Sequence, residues 1–302
     1  SGGKSKIIMT TTNANNDFEV SNASIDIEGL EVGDAIGGGH TKFNKDGDLC
    51  YVSFHHDEKG FIKGNTYIKF NTLSNEVETQ QHTPFPGDAL EFFKSYKQVR
   101  KKKEATLTDR FSHSMKIYED KGFSDIAIAS HGTYSGTSQY YLYMEHLLVS
   151  YLDEEGNAKW VNGTNYYQKY FYKGVFLMPF LQKSSAGYTL FGSPSVHAVK
   201  RHYGQFNFAT DDELHVMFYA LRKNEKAERS ADLKPLDMMN KGELKLCSFD
   251  LETGEQTESF VDTGLEKEKL FVRTAYQSKD ESDTMYIFAG NRKTYRLGVF
   301  NP

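Results

Sequence analysis

Proline is scarce in this 302-residue chain, with 6 residues, and tryptophan occurs once. So little proline leaves long stretches of backbone able to join a hydrogen-bonded ladder. Two cysteines, Cys50 and Cys247, form neither a disulfide framework nor a metal-ligand spacing. Each sits in an apolar, strand-like run, where a buried thiol is the ordinary state; whether the two are bonded is not decided by sequence. No run of 18 apolar residues offers a membrane-spanning helix. Positive charge is not in excess: the formal net charge is −5, which speaks against a nucleic-acid partner. The one basic run, Arg100 to Lys103, is followed by Glu104 and reads as a solvated helix face. No signal peptide is visible, but Ser1-Gly2-Gly3 reads as a trimmed start, so a removed export signal stays open. Sequons at Asn22 and Asn162 matter only in a eukaryotic secretory pathway.

What the chain has in quantity is aromatic: 22 Phe and 19 Tyr. Such residues suit half-buried pleated surfaces and favour β structure. Hydrophobic residues at 38% and charged residues at 25% place the chain among globular proteins.

Ser1 to Asn16 is polar and reads as a flexible lead-in. Gly37-Gly38-Gly39 matches neither a dinucleotide fingerprint nor a P-loop and is expected to be a turn or bulge. A first unit then runs from Phe43 through the turn Asn44 to Gly47, the strands Leu49–Phe54 and Thr66–Phe70, and the turn Asn71 to Asn75. Ala89, Phe92, Phe93, Tyr96 and Val99 follow at helical spacing, so one helix is expected over Pro86 to Glu104, capped by Asp88.

A second unit starts at Tyr118: strand Asp125–Ser130, a loop His131 to Ser138, strand Tyr141–Leu152, the turn Asp153 to Gly156, and Lys159-Trp160. Val175 to Leu181 and Tyr188 to Phe191 suggest a hairpin. A third unit runs from Phe208 to Gly254, with the polar segment Arg222 to Lys241 as an insertion between Leu214–Leu221 and Leu244–Phe249. A fourth starts at Tyr276, with a turn through Asp280 and Asp283 and strands Met285–Ala289 and Tyr295–Phe300.

Phe70, Tyr151, Phe249 and Phe300 close the four units, and in the first three the turn residue Asn75, Gly156 or Gly254 follows five positions later. A propeller blade takes about 40–45 residues, so weaker blades are expected in the longer gaps, with the Val175–Phe191 hairpin as one filler. The expected fold class is all-β: β-propeller-like, with degenerate blades and one helical insertion near 86–104. Residues 1–16 are the expected lead-in and 17–302 a single domain. Another large β sandwich or barrel, or two smaller α+β domains, are the alternatives.

The turn Asp153-Glu154-Glu155-Gly156-Asn157-Ala158-Lys159-Trp160 resembles the strand-closing turn of quinoprotein-like bacterial propellers, where Asp-x-x-Gly leads to a docking Trp. Phe249-Asp250-Leu251-Glu252-Thr253-Gly254 resembles the same turn without its Trp. The layout from Ser124-Asp125-Ile126-Ala127-Ile128-Ala129 through Leu147–Asp153 to Trp160 resembles exported bacterial propeller-like proteins of unknown function. The resemblance implies a propeller, export to the periplasm or cell surface, and a Trp160 that locks one unit to its neighbour. It implies no catalytic residue, and with one Trp in the chain it implies no bound quinone or other cofactor.

For catalysis, Asp34, Asp125 and Glu145 are the carboxylates nearest apolar strands, and a glycoside hydrolase or lyase would need two or more of them in one central cavity. His55 and His56 are adjacent and point to opposite faces of a strand. His113, His131, His146, His197, His202 and His215 are scattered, so no metal site is expected. No HExxH and no Gly-x-Ser-x-Gly occurs, and Asp46-Gly47-Asp48 reads as a plain turn. The tyrosine clusters are the binding candidates: His131, Tyr134, Tyr140, Tyr141, Tyr166 and Tyr167, centred on the loop His131 to Tyr141. The expected function is a non-enzymatic module binding a glycan, peptide or partner protein. The alternatives are the hydrolase or lyase and a structural subunit with an exposed apolar face.

Overall fold

A computed structural model describes residues 6–13, 19–31, 33–94, 96–103, 107, 111–118, 122–135, 139–173, 181–184, 187–190, 205–237, 241–264, 271–279, 285–290 and 294–300. The chain is all-β and propeller-like, a succession of antiparallel meanders. A hairpin, β1 (Lys6–Asn13) and β2 (Glu19–Asp26), comes first. Sheet I follows: β3 (Ala35–Ile36), β4 (His40–Phe43), β5 (Leu49–His56), β6 (Ile62–Asn71) and β7 (Glu76–Pro84). Two short helices, α1 (Gly87–Glu91) and α2 (Tyr96–Arg100), lead to sheet II: β8 (Phe111–Tyr118), β9 (Gly122–Ser135), β10 (Gln139–Leu152) and β11 (Ala158–Lys173). A hairpin, β12 (Leu181–Ser184) and β13 (Gly187–Leu190), precedes sheet III: β14 (Gln205–Ala209), β15 (Glu213–Ala220), β16 (Glu243–Asp250) and β17 (Gln256–Val261). Sheet IV has three strands, β18 (Phe271–Lys279), β19 (Met285–Gly290) and β20 (Tyr295–Phe300). The first strands of neighbouring sheets approach each other, β4 beside β8 and β14 beside β18, as blades do around an axis.

The sheets pack face to face in chain order. Ile25 and Ile27 meet Ile68 and Phe70 of sheet I. Cys50, Val52 and Tyr67 meet Met115, Phe123 and Leu152 of sheet II. Trp160, Tyr166, Val149 and Tyr151 meet Val216, Phe218 and Phe249 of sheet III. Met217 and Tyr219, on the opposite face of β15, meet Val272 and Ala289 of sheet IV. The two-residue period of a strand therefore supplies a different core on each face, and β15 from Leu214 to Ala220 is buried throughout. The cysteines are buried unbonded thiols in separate sheets.

One turn recurs. Asn44, Asp57 and Asp153 each open a hairpin turn whose fourth residue, Gly47, Gly60 or Gly156, has a positive φ near 80° (85°, 78° and 85°). The side-chain oxygen of the first residue accepts backbone N–H groups further on: Asp48 at 2.8 Å, Phe61 at 2.9 Å and Asn157 at 2.7 Å. This is the self-capping that makes Asx residues turn formers. The residue five after each closing aromatic is also left-handed, at φ 59° for Asn75 and 73° for Gly254.

Two of these glycines seat a ring from the preceding sheet. A Cβ on Gly156 would lie 1.9 Å from Tyr67 of sheet I. A Cβ on Gly254 would lie 2.5 Å from Trp160 of sheet II. Trp160 stacks between Tyr151 and Phe249, with centroids 5.8 and 5.5 Å away, and donates from Nε1 to the Leu251 carbonyl at 3.0 Å. It locks sheet II to sheet III, the role the turn resemblance implied.

Several expectations are corrected. Lys6–Asn13, within the expected lead-in, is strand β1, in register with β2 and packed through Ile7. The helix is two five-residue pieces, because backbone bonds from Phe93 to Leu90 and from Lys94 to Glu91 tighten the turn after α1. Pro86, not Asp88, occupies the N-cap, and no side chain caps it. The loop over His131 to Ser138 is strand as far as Ser135, paired with β10. Among the described residues the faces of sheets II and III meet directly, with no blade between them; of the expected Val175–Phe191 filler only β12 and β13 are described, and Val175 to Phe180 and Phe191 lie outside the described residues. The glycine run behaves as expected: the Gly37 N–H bonds to the Phe54 carbonyl at 2.8 Å, and a Cβ on Gly39 would lie 2.1 Å from the Val52 carbonyl oxygen. The turns at Glu119 to Lys121 and at Asp280 to Asp283 lie outside the described residues.

Gly47 and Gly156 share a φ of 85°, but the Gly47 site has open space where a side chain would go. Gly47→Ala is expected to cost about 1–2 kcal/mol of left-handed strain. Gly156→Ala is expected to cost about 1–3 kcal/mol more, because the methyl group must displace Tyr67. Urea unfolding of the two variants checks this, and equal costs would contradict the ring-on-glycine seat.

Candidate functional site

Strands β9, β10 and β11 span 14, 14 and 16 residues, against 8 to 10 for β5, β6, β15 and β16. Sheet II therefore runs on past its neighbours. In the extension, cross-strand register places Glu145 opposite Tyr167, Tyr143 opposite Lys169 and Tyr141 opposite Phe171. These positions share one face of the sheet, and Tyr141, Tyr143, Glu145, Tyr167 and Lys169 are half-buried there. The ring centroids of Tyr141 and Tyr143 are 6.4 Å apart, and those of Tyr143 and Tyr167 are 6.3 Å apart. The Lys169 ammonium lies 4.3 Å from the Tyr141 centroid and 5.3 Å from that of Tyr143, a cation–π arrangement. Burial, then Glu145 and Tyr143, push the Tyr167 phenol up to about 12.

The backbone under this face is fixed from behind. Gln168 points the other way, is fully buried, and donates to the Tyr219 carbonyl of sheet III at 2.9 Å. Its side-chain oxygen accepts the Tyr166 hydroxyl at 3.2 Å. Leu236, in the insertion between β15 and β16, pairs with the outer edge of β11. The Lys169 N–H donates to the Leu236 carbonyl at 2.8 Å, and the Leu236 N–H donates to the Tyr167 carbonyl at 2.9 Å. Leu236 itself is fully buried between sheets III and IV. The same insertion reaches the helical segment, where the Ser230 N–H donates to the Phe92 carbonyl at 2.8 Å. Phe93 packs against Gly163, where a Cβ would lie 2.7 Å from its ring. The covered edge and the buried amide hold Tyr167 and Lys169 in place before any ligand arrives.

The candidates read from sequence divide between two faces. His131, Tyr141 and Tyr167 occupy positions on the tyrosine face; Tyr134, Tyr140 and Tyr166 occupy the other. The side chains of His131, Tyr134 and Tyr140 lie outside those described. Tyr166 is fully buried, its ring edge-on to Phe218 at 5.1 Å, so it belongs to the core between sheets II and III. Tyr143 and Lys169 were missed. The alternation Tyr141-Leu142-Tyr143-Met144-Glu145 is the signal that marks Tyr143.

The three carboxylates do not come together. Asp125 is fully buried on β9, paired in register with Ser150 and Met115. Asp34 stands beside Glu31, Lys63, Asp57 and Glu58, where burial and those acids raise its pKa. Glu145 lies on the tyrosine face. Among the described residues no three His, Cys, Asp or Glu side chains are placed to hold a metal ion, and no helix is long and apolar enough to cross a membrane.

Two buried polar clusters tie neighbouring strands together. Lys245 is 2% exposed and pairs with Glu258 at 2.6 Å, while Thr164 and Gln256 donate to the other Glu258 oxygen at 2.9 and 2.8 Å. Burial and Glu258 push the adjacent Cys247 thiol up to about 12, which suppresses its thiolate. In sheet I the Thr66 hydroxyl bridges His55 and His82 at 3.3 and 2.8 Å.

No protein-family model and no curated protein matches the chain. Among solved structures, it is similar to the crystal structure of a thermostable family-43 glycoside hydrolase. The TM-score is 0.25 at 6% identity, covering 88% of this chain and 89% of that one. A likeness that slight transfers neither fold nor activity.

Leu236→Ala is expected to destabilise the protein by about 2–5 kcal/mol. Amide exchange at Lys169 should accelerate with it, because its acceptor is the Leu236 carbonyl; exchange there unchanged from wild type would contradict the edge contact. Burial holds His55 near 4, with His82 adding to the effect, below the ordinary value of 6.5. The neutral form is favoured in the fold, so its stability contribution is complete above about pH 6.5 and is lost as pH falls towards 4. Urea midpoints measured from pH 7 to 4 should fall, and His55→Asn should flatten the fall.

Proposed function

We propose that the chain is a non-enzymatic recognition module of an exported bacterial protein, and that it binds a glycan on the β10–β11 tyrosine face. The carrying observation is the row Tyr141, Tyr143 and Tyr167, half-buried across β10 and β11, with β11 pinned from behind by Gln168 and along its edge by Leu236. Phenol rings give apolar area for the C–H faces of a sugar and a hydroxyl for its polar edge. Their rotamers are restricted, so little entropy remains to be lost on binding. A row of tilted rings along a pleated sheet suits a chain of pyranose rings better than it suits a deep side-chain anchor. Export rests on the likeness of the Asp153–Trp160 turn and is part of the proposal, as is the treatment of residues 17–302 as one domain.

The hydrolase or lyase reading needs a convergent carboxylate pair, and Asp34, Asp125 and Glu145 supply none. A third reading, an interaction subunit, draws on the exposed Phe288, Tyr295, Leu297 and Val299 of sheet IV, but nothing indicates what would cover them.

A glycan array followed by calorimetric titration of the best oligosaccharide tests the proposal. Tyr143→Ala is expected to weaken binding about 10-fold or more, on the scale of one lost aromatic contact. Its melting temperature should stay near wild type, because the ring is half-buried. Wild-type protein that binds no glycan, or a Tyr143→Ala variant that binds normally, would count against the site. New reducing ends after long incubation, abolished by Glu145→Gln, would reinstate the hydrolase.

A further inference from the structure

Lys169 is the cation of the tyrosine face among the described residues. Its ammonium lies over Tyr141 and Tyr143, and no carboxylate among the described residues pairs with it. Two ring faces replace part of its hydration, and a ring quadrupole stabilises an ammonium less than a carboxylate does. The group is thus partly desolvated, held in position, and short of an anionic partner. The backbone that carries Lys169 is fixed, because its own N–H is bonded to the Leu236 carbonyl and the preceding residue, Gln168, is anchored to Tyr219.

Charge is arranged along the row. Lys169 serves the Tyr141–Tyr143 end, and Glu145 stands opposite Tyr167 at the other. Glu145 is close enough to Tyr167 to help raise that phenol. A ligand with one negative group therefore has a preferred direction on the face: its anion at Lys169 and its neutral hydroxyls, as donors, at Glu145. A uniformly anionic polymer would meet repulsion at Glu145.

From this geometry we infer that the site takes an acidic oligosaccharide, a pyranose chain bearing a uronate carboxylate, with Lys169 donating to the carboxylate and the tyrosine row contacting the sugars. The inference rests on the glycan-binding reading and adds the ligand's charge and direction. Lys169 is a specificity-determining residue, and no bond is made or broken.

The test titrates the full chain with otherwise neutral oligosaccharides that each carry a single uronate (glucuronate or galacturonate on a neutral pyranose chain), each beside its methyl ester, which keeps the ring and removes the charge. Wild-type protein is expected to bind at least one acid about 10-fold or more tighter than its ester, on the scale of a charge-assisted hydrogen bond. The preference should shrink as salt is raised. Lys169→Met should abolish the preference, so that acid and ester bind alike, and Lys169→Arg should keep it. Equal affinity for acid and ester, or a preference that survives Lys169→Met, overturns the inference and leaves glycan binding standing. Wild-type protein that binds neither acids, esters nor any arrayed glycan overturns both.

Discussion

The structure depends on burying both faces of each sheet in the middle of the chain. A sheet packed on both sides has no solvent face, so consecutive residues of its strands must all be accommodated in a core. β15 shows this most simply: Val216 serves sheet II, Met217 serves sheet IV, and both are fully sealed. Face-to-face packing alone would allow sheets to slide. The rings of Tyr67 and Trp160, seated on Gly156 and Gly254, prevent that, because each fills a space that exists only where the neighbour's turn lacks a side chain. The turn glycines are then needed twice, once for their left-handed backbone and once for the absent Cβ.

Sheet II departs from this regime where its strands outrun those of its neighbours. Beyond Ala129 and Leu148 the demand for a two-sided core lapses, and the side chains change from sealed aliphatics to half-buried tyrosines, a lysine and a glutamate. The two segments that break the meander, the helical stretch after β7 and the insertion after β15, both lie against β11 and touch each other through Ser230 and Phe92. Irregular chain thus covers the outer edge of β11, which would otherwise present unpaired backbone groups. Rigid support behind a partly open aromatic face is the arrangement expected of a preorganised binding surface.

Much of this was legible in the sequence. The Asx-to-Gly turns, the closing aromatics and the residue five beyond them are local chemistry, and they mark the hairpins of sheets I and III closely. The insertion between β15 and β16 was visible as a polar interruption between two apolar runs. What was not legible depends on neighbours. The extension of β9 looked like a loop because Gly132 and Thr133 carry no strong strand signal; their pairing with Leu142 and Tyr141 supplies it. The faces of the tyrosines were obscured by the bulge at His146, a non-glycine residue at φ 60°, which resets the two-residue period within β10. Tyr166 and Tyr167 are adjacent, yet one is sealed in the core and the other lies on the half-buried face, a distinction that composition does not carry. Lys169 was invisible for a similar reason: it joins the tyrosine face through rings 26 and 28 positions away.

The central claim is that the β10–β11 tyrosine face, and not the aromatic core beside it, meets the ligand. Carbon-13 labelling of tyrosine rings, with resonances followed during titration with a bound oligosaccharide, reads this directly. The account predicts shifts concentrated at Tyr141, Tyr143 and Tyr167, with Tyr67, Tyr166 and Tyr219 unmoved. Shifts centred on tyrosines away from this face, with those three unchanged at saturation, would contradict it.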